Sequence, residues 1–199
     1  MSSHALQLHL SEAEYLAGEE ISDIKHEYID GQVYAMSGAS ANHNRLAGNV
    51  HTAFNVHLKG KSCQPYTSDM KVKIGSRYFY PDVMVDCSDV EGYFTETPVI
   101  LVEVLSKSTK QIDKTIKLNS YKKIPTLQEY VLIEQDSVEI EILRRKTGWQ
   151  PEYYFLGDSL SFESIALILT VEEIYDRVKN TDITEWLTKK ALEENQNAE

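Results

Sequence analysis

The sequence of 199 residues is poor in the features that mark secreted, membrane-spanning and disordered chains. It has two cysteines, five prolines and nine glycines, too few for a disulfide scaffold, a collagen-like repeat or a linker-rich chain. Its longest purely aliphatic runs, 99–102 and 165–169, are far shorter than the about 18–20 apolar residues of a membrane span. The first 20 residues contain four glutamates and no basic segment followed by an apolar one, so no secretory signal is visible. We therefore expect a cytoplasmic protein with no membrane association.

The two cysteines are best interpreted as ordinary buried thiols. Cys63 and Cys87 belong to no CxxC or CxxH cluster, and two thiols are common in a cytosolic chain. One bridge between them is the alternative. We expect both to be reduced and structural.

Positive charge is also scarce, with 20 Lys and Arg residues against 31 Asp and Glu residues and a net charge of −11. This balance argues against a protein that coats duplex DNA, because non-specific affinity comes from cations that neutralise phosphates. The cations are concentrated, however. Residues 107–123 contain six lysines and one aspartate, and residues 59–77 contain five cations and one aspartate. These segments predict a modest, local affinity for phosphate or, alternatively, two solvated faces.

Apolar residues make up 42% of the chain, enough to build a sizeable core. Their spacing, together with capping and turn residues, predicts an α/β (α+β) fold with a mixed sheet flanked by helices. The predicted helices cover 11–18, 40–57, 113–123 and 169–178, and the predicted strands cover a hairpin at 27–36, then 70–74, 78–87, 98–105, 129–135, 138–144 and 149–156. We expect one domain over residues 1–180 and a polar, partly frayed extension over 181–199.

Glu103 is the most informative residue, because its strand, 98–105, is otherwise apolar on both faces. Such a strand is covered on both sides, and a carboxylate buried there needs a partner, a proton or a metal ion. Asp82 follows Pro81 on a neighbouring predicted strand, where the proline favours a bend or a strand start. Two carboxylates that face one cleft make a site for a hard divalent cation such as Mg²⁺. The alternatives are a partnered structural glutamate and a strand-end aspartate.

The helix predicted after this strand places a lysine near the same predicted metal site. Asp113, Lys117 and Tyr121 are spaced by four residues and share one helical face. A lysine beside metal-binding carboxylates stabilises the negative charge that develops during phosphodiester hydrolysis. Glu27 could approach the metal through water. Alternatively, Lys117 pairs with Asp113 on a solvated face and Glu27 is a surface residue.

The segments PDVMVDC, PVILVEVLSKST, DKTIKLNSYKKI and EYVLIE resemble the Uma-type family of restriction-endonuclease-like proteins. Pro81-Asp82 followed after 20 residues by Glu103 is similar to the PD-(D/E)XK nuclease superfamily, to which that family is assigned. The resemblance covers about residues 11–178. It implies a restriction-endonuclease-like fold that hydrolyses DNA and works as a homodimer, with Mg²⁺, or Mn²⁺ as a substitute, and no organic cofactor.

The resemblance also assigns roles to residues. Asp82, Glu103 and the backbone carbonyl of Val104 are expected to bind the metal, with Glu27 assisting. The superfamily's catalytic lysine lies two residues after the glutamate, where this chain has Leu105. The matching lysine is Lys117 on the following helix, and Lys114 is a poorer match.

Two further positions match the family and have ordinary alternatives. Asp69 could belong to the site or could simply start a strand, and His43 is expected to be structural or substrate-facing. The six histidines form no zinc-binding motif. As a function, the alternatives to a nuclease are a catalytically silent nucleic-acid-binding or protein-interaction module and a hydrolase of another phosphoester.

Overall fold

The computed structural model describes residues 9–196, so the ends of the expected domain and extension, 1–8 and 197–199, lie outside the described part. The helices are α1 (Glu12–Glu20), α2 (Ala41–Leu58), α3 (Lys110–Ile112), α4 (Leu118–Tyr121), α5 (Val171–Ile174) and α6 (Thr181–Gln196), and a π-helical turn, Asp113–Lys117, joins α3 to α4. The strands are β1 (His26–Ile29), β2 (Gln32–Ala35), β3 (Gln64–Thr67), β4 (Lys71–Ile74), β5 (Arg77–Phe79), β6 (Val83–Asp86), β7 (Phe94–Thr95), β8 (Pro98–Leu105), β9 (Glu129–Glu134), β10 (Ile140–Arg144), β11 (Pro151–Tyr154), β12 (Ser159–Phe162) and β13 (Leu167–Thr170).

The strands form two large sheets and one small one. The larger has the order β11-β10-β9-β8-β6-β3 and is mixed, because β8 and β9 are parallel while its other neighbours are antiparallel. A second sheet has the order β2-β1-β5-β4-β7, and β12 pairs with β13. The predicted α+β class with a mixed sheet flanked by helices is confirmed.

The six-stranded sheet has a hydrophobic core on each face. On one face, Val83, Val85 and Val102 belong to the same core as Leu46 and Phe54 of α2. On the other, residues such as Met84, Leu101 and Tyr121 form a second core. Because successive side chains of a strand point to opposite faces, β8 is buried on both sides, as its apolar sequence predicts.

Local sequence signals place the N-terminal elements. Ser11 accepts a hydrogen bond from the Glu14 amide while the Glu14 carboxylate accepts one from the Ser11 amide, which is a capping box at the start of α1. Asp30 and Gly31 both have positive φ, 49° and 95°, and join β1 to β2, as a type I′ turn requires. The predicted hairpin and first helix are confirmed.

Pro81 divides the predicted strand 78–87 into β5 and β6, which belong to different sheets. Because proline cannot donate a ladder hydrogen bond, the chain leaves one sheet here and enters the other at Val83. Asp82 lies at this crossing, where the two sheets meet.

The prediction of two free thiols is wrong, because Cys63 and Cys87 form a disulfide. In the antiparallel pair of β3 and β6, Gln64 lies opposite Asp86, so the next residues outward face each other. Sequence spacing alone does not reveal that these two strands pair.

Three predicted segments differ from the structure. The helix expected over 169–178 is shorter, because Leu167–Thr170 is strand β13 and the Thr170 capping box starts α5 at Val171. The helix expected from 113 begins at Lys110 and has no side-chain cap. Residues 181–196 of the expected frayed extension form helix α6. Within residues 9–196, no helix is both long enough and apolar enough to span a membrane.

Candidate active site

Asp82 and Glu103 face each other where the two sheets meet. In the antiparallel pair of β6 and β8, Val83 lies opposite Val102, so one step further the register brings Asp82 level with Glu103. The Asp82 Oδ2 atom accepts a hydrogen bond of 2.7 Å from the Val104 amide. The strand next to it therefore holds the aspartate in place.

His43, in the first turn of α2, contacts the same aspartate. Its Nε2 atom lies 3.2 Å from Asp82 Oδ2, and Ser40 caps the helix by accepting a hydrogen bond from the His43 amide. Burial acts to lower the pKa of His43, but the hydrogen bond and charge of Asp82 outweigh it and raise the pKa. His43 thus belongs to the site as a partner of Asp82.

Glu103 is almost fully buried, with 3% of its surface exposed. Its Oε1 atom accepts hydrogen bonds from Lys117 Nζ at 3.1 Å and from the Tyr121 hydroxyl at 2.8 Å. Burial raises the pKa of Glu103 well above its usual value, and Lys117 opposes this shift while Asp113 adds to it. Among residues 9–196, no hydrogen-bond donor contacts its other oxygen.

Lys117 is the centre of a group that we call the Lys117 cluster: Lys117, Glu27, Glu103 and Asp113. Its Nζ atom lies 2.9 Å from Glu27, 3.1 Å from Glu103 and 3.2 Å from Asp113. Burial acts to lower the pKa of Lys117, but these three carboxylates outweigh it and raise the pKa well above its usual value. Lys117 is therefore a charged lysine.

The π-helical turn Asp113–Lys117 carries the lysine to the carboxylates. Single π turns within α-helices are rare and occur often at functional sites. The turn places Asp113 and Lys117 in the interior, so the alternative of a solvated Asp113–Lys117 pair is wrong. The side chain of Glu27 is also largely buried and accepts a hydrogen bond from the Tyr80 amide, which excludes the alternative of a surface residue.

The charge balance of the site favours an added cation. Glu27, Glu103 and Asp113 surround Lys117, Asp82 lies level with Glu103 on the neighbouring strand, and like charges in a desolvated site repel strongly. Within residues 9–196, no three His, Cys, Asp or Glu side chains converge closely enough to hold a metal ion by themselves. Mg²⁺, however, is usually bound by one or two carboxylates together with water and substrate phosphate. The oxygen donors of Asp82 and Glu103 fit that ion.

Two candidate residues lie away from the cluster. Asp69 is exposed and pairs with Lys25, and Lys114 Nζ lies 2.8 Å from Glu141, so neither contacts Lys117. Sequence reasoning understated three residues that do belong to the site, namely His43, Asp113 and Tyr121. The four-residue spacing of Asp113, Lys117 and Tyr121 was the available signal for two of them.

The two basic segments present less positive charge than their sequences suggest. Partners from other elements offset several of their cations: Lys73 lies near Glu12 and Glu96, Arg77 pairs with Asp30, Lys110 pairs with Glu134 and Lys114 pairs with Glu141. Lys117 itself is buried among carboxylates. A count along the chain cannot include these partners, because they come from distant strands and helices.

Comparison with known proteins identifies relatives over most of the chain. A protein of Synechocystis sp., slr1290, is 39% identical over 173 residues, which cover 83% of this chain and 91% of that protein. A second Synechocystis protein, sll1609, is 40% identical over 141 residues, covering 66% of this chain and 78% of that protein.

A solved structure shares the fold. The crystal structure of "a putative nuclease belonging to DUF820" from Anabaena variabilis ATCC 29413 matches 85% of this chain and 99% of its own, with a TM-score of 0.71 and 17% sequence identity. The family model of Uma2, described as "Putative restriction endonuclease", matches residues 12–172. These matches span the sheet, α2 and the Lys117 cluster, and the chain belongs to the Uma2 family of restriction-endonuclease-like proteins.

Proposed function

We propose that this protein is a Mg²⁺-dependent endonuclease that hydrolyses phosphodiester bonds of DNA. The observation that carries the proposal is the position of Lys117 Nζ, 3.1 Å from Glu103 although the lysine comes from a helix 14 residues further along the chain. A catalytic group must reach its partner directly or through one water, and Lys117 does so. Lys117 would take the role of the lysine that the superfamily has where this chain has Leu105.

Asp82 and Glu103, with the backbone carbonyl of Val104, are the residues that would hold Mg²⁺, and Mn²⁺ could replace it. The ion would supply positive charge at the scissile phosphate and orient a water molecule. The Val104 amide fixes Asp82, and the Tyr121 hydroxyl fixes one oxygen of Glu103. Both ligands are therefore held before substrate arrives.

Lys117 would stabilise the negative charge that grows on the phosphate during hydrolysis. Glu27 and Asp113 keep the lysine charged and hold it on the Glu103 side of the site. Glu27, in turn, is held by the Tyr80 amide, one residue before Pro81. Cleavage of both strands of a duplex calls for two such sites, so a homodimer is part of the proposal.

A catalytically silent nucleic-acid-binding or protein-interaction module is the second candidate. It is favoured by the low exposure of the Lys117 side chain, 6%, and by the lack of a three-residue metal cluster in the part of the chain that the structure describes. Such a module would bind nucleic acid with an affinity that falls as salt rises, or would not bind it, and would cleave nothing.

A plasmid assay separates the two. Supercoiled DNA is incubated with the protein and MgCl₂, MnCl₂ or EDTA, and nicked and linear products are quantified. We expect products with either metal, none in EDTA, and none with Glu103→Gln. The matched control is Glu96→Gln, because this exposed glutamate pairs with Lys73 at the surface and should cleave like the wild type.

Two results would contradict the proposal. Equal cleavage by Glu103→Gln and the wild type would show that the site is wrongly assigned. Absence of cleavage by a folded wild type in both metals would favour the silent module. A parallel screen of small phosphoesters shows whether the protein hydrolyses a different substrate.

A further inference from the structure

A pocket of about 180 Å³ lies where β3 ends and takes no part in the chemistry described above. Its wall is formed by Tyr66, Thr67, Asp69, Met70, Gly92 and Tyr93. The first two belong to β3, the next two to the turn before β4, and the last two to the loop before β7. The pocket therefore combines an edge strand of the large sheet with elements of the second sheet.

The strand register places this pocket at the same end of the large sheet as Asp82. Thr67 lies opposite Val83 in the antiparallel pair of β3 and β6, so the next residue along β3 comes level with Asp82. Adjacent strands are about 4.8 Å apart. A nucleic-acid strand whose phosphate reaches Asp82 would thus pass the mouth of the pocket with its neighbouring nucleotide.

The pocket is aromatic and is backed by a buried cation. Tyr93 is 69% exposed, although its backbone carbonyl is fixed by a hydrogen bond from the Lys71 amide. The Lys71 side chain is buried, and its Nζ atom lies 5.8 Å from the centre of the Tyr93 ring and 3.2 Å from the Tyr80 hydroxyl. A large exposed ring held by a fixed backbone is the kind of platform on which an unpaired base stacks.

The pocket also has one acceptor of defined chemistry. Asp69 pairs with Lys25 through Oδ1, and its exposed carboxylate can accept a further hydrogen bond at the second oxygen. Carboxylates in nucleic-acid sites accept hydrogen bonds from the amino group of cytosine, which thymine lacks. Asp69 thus gives the pocket a means of discriminating between bases.

We propose that this pocket binds one unstacked nucleobase of the DNA substrate, adjacent to the phosphate that is cleaved. Tyr93 stacks on the base, and Asp69 accepts a hydrogen bond from its exocyclic amino group. The inference rests on the proposed function for the identity of the ligand as nucleic acid. It adds that the substrate is single-stranded, or locally unpaired, at one nucleotide.

The test measures binding without cleavage. Fluorescence anisotropy of short labelled oligodeoxycytidine and oligothymidine is recorded with the full-length protein in EDTA. Stacking of one base on one aromatic ring is lost in Tyr93→Ala, and we expect its affinity to fall at least about fivefold, while Tyr93→Phe keeps the ring and the affinity. Tyr153→Ala is the matched control. Tyr153 is also an exposed tyrosine, at 49%, but it lies on β11, at the edge of the six-stranded sheet opposite β3.

A separate comparison, of oligodeoxycytidine with oligothymidine, tests the role of Asp69. The wild type should bind oligodeoxycytidine more tightly than oligothymidine, and Asp69→Ala should remove that difference. Equal affinity of the wild type for both oligonucleotides would overturn the role of Asp69. Equal affinity of wild type and Tyr93→Ala, or no binding of either oligonucleotide by the wild type, would overturn the pocket.

These outcomes are distinct from the failure of the proposed nuclease. If the protein cleaves plasmid but binds oligonucleotides equally well without Tyr93, the proposed function stands and the proposed base-binding pocket is wrong. A protein that cleaves nothing but whose binding depends on Tyr93 keeps the pocket as the site of a nucleic-acid-binding module.

Discussion

Within residues 9–196, each face of the six-stranded sheet carries a charge cluster around a buried cation, and the two clusters are built differently. The Lys117 cluster lies on the face of Leu101 and Leu105, to which Glu103 also points. The other, which we call the Arg144 cluster, consists of Arg144, Glu129, Glu152 and Glu163 and lies on the face of Val131. Each cluster has one central cation that is almost fully buried and three carboxylates, so the number of charges within the cluster does not distinguish them.

The difference lies in how completely the carboxylate oxygens are hydrogen-bonded. Both oxygens of Glu129 are used: Oε1 accepts from Arg144 at 3.3 Å and from the Glu163 amide at 3.0 Å, and Oε2 accepts from the Ser164 amide and hydroxyl. Glu103 is bonded through Oε1 alone within the described part of the chain. Asp82 close by adds a fourth negative charge to its side of the sheet.

A structural ion cluster satisfies its own charges, because an unpaired buried charge is costly. A site that binds a cation and a phosphate leaves some carboxylate oxygens without hydrogen bonds from the protein. This lowers the stability of the fold. The comparison therefore supports the proposal that the Arg144 cluster stabilises the fold and that the Lys117 cluster has the catalytic role. Three measurements test this comparison.

The largest expected effect is on stability, at Arg144. Replacement by methionine leaves Glu129 buried without its cation, and we expect the free energy of unfolding to fall by about 3–5 kcal/mol. Urea denaturation measures this loss. Lys146→Met is the control, because this lysine is 59% exposed and pairs with Glu163 at the surface, where a pair contributes less than about 1 kcal/mol. Equal losses in the two variants would remove the structural role of Arg144.

A smaller effect on the free energy of unfolding distinguishes Glu129 from Glu103. Glu129→Gln weakens hydrogen bonds to a charged acceptor, and we expect a loss of about 1.5–3 kcal/mol. Burial disfavours the charged form of Glu103, and glutamine is a neutral side chain of the same shape, so for Glu103→Gln we expect no loss, or a gain, in the free energy of unfolding. If Glu103→Gln destabilises the protein as much as Glu129→Gln, the two clusters are both structural.

The smallest effect is a change of stability with pH. The pKa of Glu103 is raised from an ordinary 4.5, so above that pH the unfolded chain has released a proton that the folded protein still holds. The folded state then binds more protons, and the contribution of Glu103 to stability falls as pH rises. Between about pH 5 and pH 8 we expect urea midpoints of Glu103→Gln to rise relative to those of the wild type. A constant difference would contradict the raised pKa.

Much of the fold can be predicted from local signals. The Ser11 capping box, the Asp30-Gly31 turn and the apolar strand that contains Glu103 each depend on neighbouring residues only. The errors arise where tertiary contacts decide. Leu167–Thr170 becomes a strand because Ser159–Phe162 pairs with it, and the cysteines meet because β3 pairs with β6.

The site was predictable to a similar extent. An acidic residue in an apolar strand indicates Glu103, and Pro81 indicates the bend that presents Asp82. The contact of Lys117 with both Glu27 and Glu103 depends on a π-helical turn and on a second sheet, neither of which follows from residue spacing. The ion pairs between surface lysines and acidic residues distant in the chain could not be predicted either, because they too depend on tertiary contacts.

The most direct test of the account compares two lysines of one π-helical turn. Lys117 contacts Glu27 and Glu103, whereas Lys114, three residues earlier, pairs with Glu141 of β10, two strands away from the strand of Glu103. Metal-dependent plasmid cleavage is measured for Lys117→Met and Lys114→Met, with urea denaturation to verify that both are folded. The account predicts a loss of at least about 100-fold in Lys117→Met and cleavage close to that of the wild type in Lys114→Met. Equal cleavage by the two folded variants would contradict it.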